Sequence, residues 1–143
     1  MSEYPLVSLH FQVEWGGTRM GFTEVSGLSV ETEVIEYREG SSPDYSSMKM
    51  PGIPKYSNIT LKRGIVKGDN EFFNWWKTIN LNTVERRDIV ISLLNENHEP
   101  VVNWKVRNAF PVKIECSNLK ATGNEVAIET LEIANEGLTI END

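Results

Sequence analysis

The stretch "GSSPDYSSMKMPGIPKYSNITLKRG", Gly40 to Gly64, decides how the rest of the chain is read. Its first seventeen residues, Gly40–Tyr56, hold three prolines, two glycines and four serines, a composition that interrupts helices and strands alike. Beyond Tyr56 the pattern is regular: Ile59, Leu61, Arg63 and Ile65 fall on one side and Asn58, Thr60 and Lys62 on the other, the period-two pattern of a half-buried strand. The first part therefore reads as a long connection without regular structure. Connections beyond about 12–15 residues are uncommon in compact domains and are functional or disordered. This one carries Tyr45, Met48, Met50, Ile53 and Tyr56, which a solvated loop does not need. Fixing one residue's backbone costs about 1–2 kcal/mol, and burying one large apolar side chain returns about 1.5–3 kcal/mol. Five anchors cannot hold seventeen residues by themselves. The segment reads as an arm that needs a second surface, and the thioethers of Met48 and Met50 suit an irregular one. The proline-free "NITLKRG" after it offers a strand edge open to a neighbouring copy.

Working outward, residues 6–15 alternate with Val7, Leu9, Phe11, Val13 and Trp15 on one face, and Gly16-Gly17 signals a two-residue hairpin into a strand with Met20 and Phe22. Ser26-Gly27 punctuates, and Leu28–Tyr37 is a strand candidate whose Glu31, Glu33 and Glu36 point to a solvated face. On the far side of the opening stretch the period changes. Phe72, Trp75, Trp76 and Ile79 lie at i, i+3, i+4 and i+7, a helix with Asp69 placed to cap it and an aromatic stripe suited to the core. "RDIVISLLNE" and "PVVNWKVRNA" flank a turn-rich connector and form a hairpin. "FPVKIEC" is a further strand that Pro111 confines to an edge or a strand start, and "EVAIETLEIANEGLTI" favours strand through its β-branched residues. The expected fold is mainly β: a sandwich or small barrel of about eight strands with one packed helix and the long inter-strand loop at 40–56, in a single domain over 1–143.

Composition bounds the function. A length of 143 residues, 39% hydrophobic and 24% charged, is that of one ordinary folded domain. No run nears the ~20 apolar residues of a membrane span, and "MSEYPLVSLHF" lacks the features of a signal peptide, so a cytoplasmic product with no stable membrane insertion is expected. Formal charge is −7, and residues 115–143 hold seven acids against Lys120 as the one base. That field opposes a tightly held nucleic acid, whose affinity comes from Lys and Arg on phosphates. Chemistry is not signalled either. His10 and His98 have no metal-ligand spacing, Cys116 sits among acids rather than in the electropositive setting of a reactive thiol, and no nucleophile elbow or phosphate loop is present. The reading is a non-enzyme without cofactor or metal.

"FTEVSGLSVETEVIEYREG", the loop ending "MPGIPKYSNITLKRG", "FFNWW", "RRDIVISLLNE", "WKVRNAFPVKI" and "NEVAIETLEIANEGL" together resemble, in order over about residues 7–140, the tail-tube proteins of contractile phage-like particles. Within that family the chain is most similar to the inner-tube protein of contractile injection systems. The resemblance implies hexameric rings stacked into a hollow tube, with a lumen that is a continuous β-barrel built by all six subunits. It further implies a sheath around the tube, a baseplate and spike, a tube-terminating cap, room for protein cargo in the lumen, and assembly in the bacterial cytoplasm into a phage tail-like particle, with release outside the cell, anchoring to a membrane and retention inside the cell all left open. Carried over by position, Arg38 and Glu39 lead into the assembly loop, Pro51, Gly52, Lys55 and Tyr56 close it, and Leu61, Lys62 and Arg63 continue into the next strand. Tyr45, Met48, Met50 and Ile53 are its anchors. Glu31, Glu33, Glu129 and Glu132 are candidates for the lumen or for ring-to-ring contacts. Three alternatives stay open: a tube-initiating paralogue at the baseplate, the tail tube of a contractile phage, and, from a different class, a monomeric β-barrel that binds a small ligand.

Overall fold

Apolar alternation builds two facing layers. The computed structural model describes residues 10–15, 18–38, 40, 48–81, 83–123 and 125–142. Among them run ten strands and one helix: β1 (Phe11–Trp15), β2 (Thr18–Met20), β3 (Glu24–Ser26), β4 (Val30–Tyr37), β5 (Met48–Tyr56), β6 (Ile59–Gly64), α1 (Glu71–Trp76), β7 (Arg87–Leu94), β8 (Pro100–Cys116), β9 (Ile128–Ala134) and β10 (Gly137–Asn142). All neighbouring strands pair antiparallel, and Trp15 opposite Thr18 closes the expected hairpin.

Eight strands form one sheet, along the path β2-β1-β7-β8-β9-β6-β3 with β10 also on β8. The path doubles over at β8. Its first half pairs with β7 on one edge and β10 on the other, and its second half pairs with β9. Val13, Trp15, Ile89, Ile91 and Val106 of the first layer meet Ile59, Leu61, Leu131 and Ile133 of the second in one core. The mouth is plugged by α1, whose Phe72 and Trp75 stand edge-on to Trp15 with centroids 5.4 and 5.1 Å away. The Trp75 indole donates to the Glu85 carbonyl at 2.7 Å, giving a buried polar tip its partner.

Three expectations need correction. β8 is one strand of seventeen residues, and Pro111 lies inside it, buried opposite Ile133 rather than at a strand end. The ladder shifts register between Pro111 and Lys113, and such a bulge absorbs the missing N–H and turns the strand from one layer to the other. The helix N-cap is Asn70; Asp69 supports the first turn from one position earlier, taking the Glu71 N–H at 3.2 Å. Finally, Gly40–Tyr56 is not an irregular connection along its whole length. Met48–Tyr56 is strand β5, while Tyr45 and the rest of 41–47 lie outside the described residues, as does Glu39. Among the described residues of this subunit the layers form a sandwich and do not close into a barrel.

Candidate assembly surface

Among the described residues β4 and β5 pair only with each other, as a hairpin arm beyond the core. Every residue of β4 is exposed, and in β5 only Gly52 and Tyr56 are partly covered. Prolines survive here because each strand has one free edge. The register places Thr32 opposite Pro54 and Val34 opposite Pro51, so Glu33 faces both Gly52 and Ile53 in a bulge. Gly52 fits that bulge because a Cβ would lie 2.9 Å from the Glu33 carbonyl oxygen. Beyond the bulge, Ile35 opposes Met50 and Tyr37 opposes Met48. Opposed residues share a face, so the distal arm displays four large apolar side chains together, each 39% to 63% exposed.

The arm joins the core through a polar root. β3 pairs with β6 immediately before the arm begins, and the ribbon breaks at Gly27–Ser29 and Ser57–Asn58. Gly27 has φ +89°, and a side chain there would collide with the Asn58 carbonyl. The Ser29 and Ser57 hydroxyls bond one another, Ser57 donates to the Gly27 carbonyl at 3.1 Å, and Asn135 donates to the Ser57 carbonyl at 3.0 Å.

The outward face of the second layer is polar. Thr60 and Lys62 of β6, Thr130 and Glu132 of β9, and Lys113 and Glu115 of β8 line a shallow depression of about 280 Å3. Lys62 pairs with Glu24 at 3.1 Å and Lys113 with Glu115 at 3.5 Å, exposed contacts worth about 0–1 kcal/mol each. Among the described residues this layer ends in two unpaired edges, β3 on one side and the second half of β8 on the other.

Inside the same layer lies a buried ion cluster. Arg63, 4% exposed, donates to Asp69 at 2.9 and 3.1 Å and to Glu129 at 2.5 Å, and its guanidinium lies 4.2 Å over the Phe72 ring. Burial pushes the Asp69 carboxyl up, but the Arg63 hydrogen bonds, the Glu71 N–H and the guanidinium charge outweigh it and hold it below its ordinary value. Among the described residues no three His, Cys, Asp or Glu side chains converge as a metal site.

The model of the T4-like virus tail tube protein gp19 family matches residues 7–139. The chain belongs to this family. It is similar to a chain of the cryo-EM structure of an extracellular contractile injection system, the PVC sheath–tube complex in its extended state, with 36% identity, 99% of this chain and 94% of that one covered, and TM-score 0.90. A chain in the structure of the anti-feeding prophage cap, described as its tube terminating cap, is 38% identical over 100% of this chain and 95% of that one, TM-score 0.92. A chain of the six-fold symmetrised anti-feeding prophage baseplate is 25% identical over 99% and 98%, TM-score 0.84. A search of curated proteins found no match. The chain is thus a structural protein of the tail-tube family and not an enzyme.

The tube protein's fold divides the residues grouped by sequence. Met48, Met50, Pro51, Gly52, Ile53, Lys55 and Tyr56 come together on β5, with Arg38 exposed just past β4. Lys62 faces outward, whereas Leu61, with no exposure, and Arg63 face the core. The four acids do not share a surface. Glu31 and Glu33 are on the arm, where Lys55 stands opposite Glu31 and 3.9 Å from Glu33, while Glu132 is on the polar face and Glu129 is turned inward to Arg63. Sequence reasoning missed the arm root at Ser29, Ser57 and Asn135 and the apolar contribution of Ile35 and Tyr37. Gly27 was visible only as punctuation; the four apolar residues of β4 were obscured by the interleaved acids.

Proposed function

We propose that this protein is the inner-tube subunit of a contractile injection system, six copies closing into a ring and rings stacking into a hollow tube that sheath contraction drives, spike first, through a target envelope. The observation that carries this reading is the second layer, polar on its outward face and open at both edges. Pairing the second half of β8 on one copy with the β3 edge of the next continues the ladder around the ring, and closure removes every free edge of that layer. The face bearing Thr60, Lys62, Lys113, Glu115, Thr130 and Glu132 then lines the lumen, a hydrated wall suited to protein cargo. A formal charge of −7 favours such cargo over bound nucleic acid. Six-fold symmetry in the related baseplate supports the ring number.

The arm is the assembly element. Arg38, Glu39, Tyr45, Met48, Met50, Pro51, Gly52, Ile53, Lys55 and Tyr56 engage neighbouring subunits, with Glu31 and Glu33 at ring-to-ring contacts. Leu61 and Arg63 act from the core by holding β6, and Glu129 does so through Arg63. Obligate interfaces of about 2,000 Å2 or more suffice to order an arm that the subunit leaves exposed. Higher identity to the sheath–tube chain than to the baseplate chain supports the main tube over a tube initiator. Sheath, terminating cap and baseplate are its partners by the same likeness, with assembly in the bacterial cytoplasm before release as a particle. Met50→Asp or Ile53→Asp is expected to leave a folded subunit and abolish tubes in negative-stain microscopy; tubes of normal length from both variants would overturn the role of the arm.

A further inference from the structure

The sandwich has a second opening, distinct from the mouth plugged by α1. Phe11 of β1, Val25 of β3, Leu28, Ile91 and Leu93 of β7 and Trp104 of β8 line a cavity of about 270 Å3, with Thr23 and Glu24 at its rim. Of the apolar residues only Ile91 is buried; the others are partly covered, and Phe11, Val25, Leu28 and Trp104 rest against the core. We propose that this apolar cleft receives the distal face of the arm, Ile35, Tyr37, Met48 and Met50, from a second copy of the chain. The inference rests on the tube reading and names the surface that the arm meets.

Two observations fix the occupant. First, the cleft and the face complement each other in chemistry and scale. A cavity left by a large-to-small core substitution is about 150 Å3, so this one admits roughly two large side chains, and the arm displays four that no described element of its own subunit covers. Second, a subunit cannot fill its own cleft. Leu28 lines the cleft, and Tyr37 lies nine residues further along the chain at the end of β4, roughly 30 Å at strand rise. The β4–β5 ladder runs from Val30 to Tyr37 with a single bulge between Thr32 and Val34, so the distal face is held away from its own Leu28. A protrusion and a receptor at different places on one chain can join copies head to tail, a heterologous contact that generates rings or filaments.

Reciprocal photo-cross-linking in assembled tubes tests this. p-Benzoylphenylalanine replaces Tyr37 in one variant and Phe11 in another, both close to the native side chain in shape, and tubes are grown from mixed light and 15N-labelled subunits. The expected result is mixed-isotope adducts joining peptides of the cleft to peptides 35–37 or 48–50. Adducts from position 37 that map elsewhere, adducts from position 11 to residues 1–9 or to its own arm, or no adducts in well-formed tubes would each overturn the proposal while leaving the tube reading intact. A wild-type protein that never forms tubes would instead remove the tube reading and this inference with it. Leu93→Trp, which fills the cleft, supplies an independent measurement: the subunit should melt as a folded domain, yet give at least tenfold fewer tubes. Unchanged tube yield from that variant overturns the proposal.

Discussion

Arg63 shows how one residue ties three elements together. From β6 it reaches Asp69 before α1, Glu129 on β9 and the Phe72 ring on α1, and nearly all of it is removed from water. Removing one partner of a buried ionic cluster strands the other charges, so Arg63→Ala is expected to destabilise the subunit by about 3–5 kcal/mol in urea unfolding. The pH response comes from Asp69, whose folded carboxyl titrates below its unfolded one. Its contribution is complete above the ordinary carboxylate pKa of about 3.9 and is lost as the pH falls through the lower folded value. The melting temperature of the subunit should therefore drop as pH is lowered from about 5 to about 2, and Asp69→Asn should flatten part of that slope. Gly27 works through backbone alone. Its φ of +89° and its approach to Asn58 exclude a side chain, so Gly27→Ala is expected to cost more than about 1 kcal/mol, read from the same unfolding curves.

Among elements, the arm is the least supported by its own subunit. A two-stranded hairpin alone is marginally stable in water, and among the described residues β4–β5 has no third strand. Its amides should exchange with deuterium far faster than those of β6 or β7 in the free subunit, and become protected on tube formation; arm amides already as slow as those of β6 in the monomer would contradict this. The same element marks the limit of what the residues disclose locally. Ile59, Leu61 and Arg63 announced β6, Val13 and Trp15 announced β1, and the Phe72–Trp75 spacing announced α1, because each pattern reflects burial against one core. β5 was hidden, since Pro51 and Pro54 break a central strand yet are harmless at a free edge beside a bulge. Pro111 misled in the opposite direction: its bulge exists only because two layers must be joined. Neither fact is written in a window of neighbouring residues. The arm's surplus of apolar anchors was legible, whereas its root was not, because Ser29, Ser57 and Asn135 are distant in sequence and meet only in the fold.

At the scale of the whole molecule, the second layer joins a polar outward face to two unpaired edges among the described residues. If the polar face of the second layer is lumen rather than interface, Lys62→Glu combined with Lys113→Glu should leave tube yield and diameter unchanged, since solvated surface substitutions shift stability by about 0.5 kcal/mol or less. Loss of tubes in electron micrographs would place that face between subunits instead. Val112 belongs to the opposite case. It is exposed on the open half of β8, and a charge there protects an edge from pairing. Val112→Asp is expected to leave the subunit's melting curve nearly unchanged and to shift it to monomer in size-exclusion chromatography under conditions where the wild type assembles.

β8 runs through both layers without interruption, seventeen residues and roughly 56 Å of extended chain. Among the described residues it is the one strand that bonds to partners in both layers, to β7 and β10 at one end and to β9 at the other. A thrust along this strand would reach the far layer through covalent backbone, with its cross-strand bonds strained side by side in shear instead of parting one after another like a zipper. In a subunit under load, β8 is thus the strand that carries force from one layer to the other.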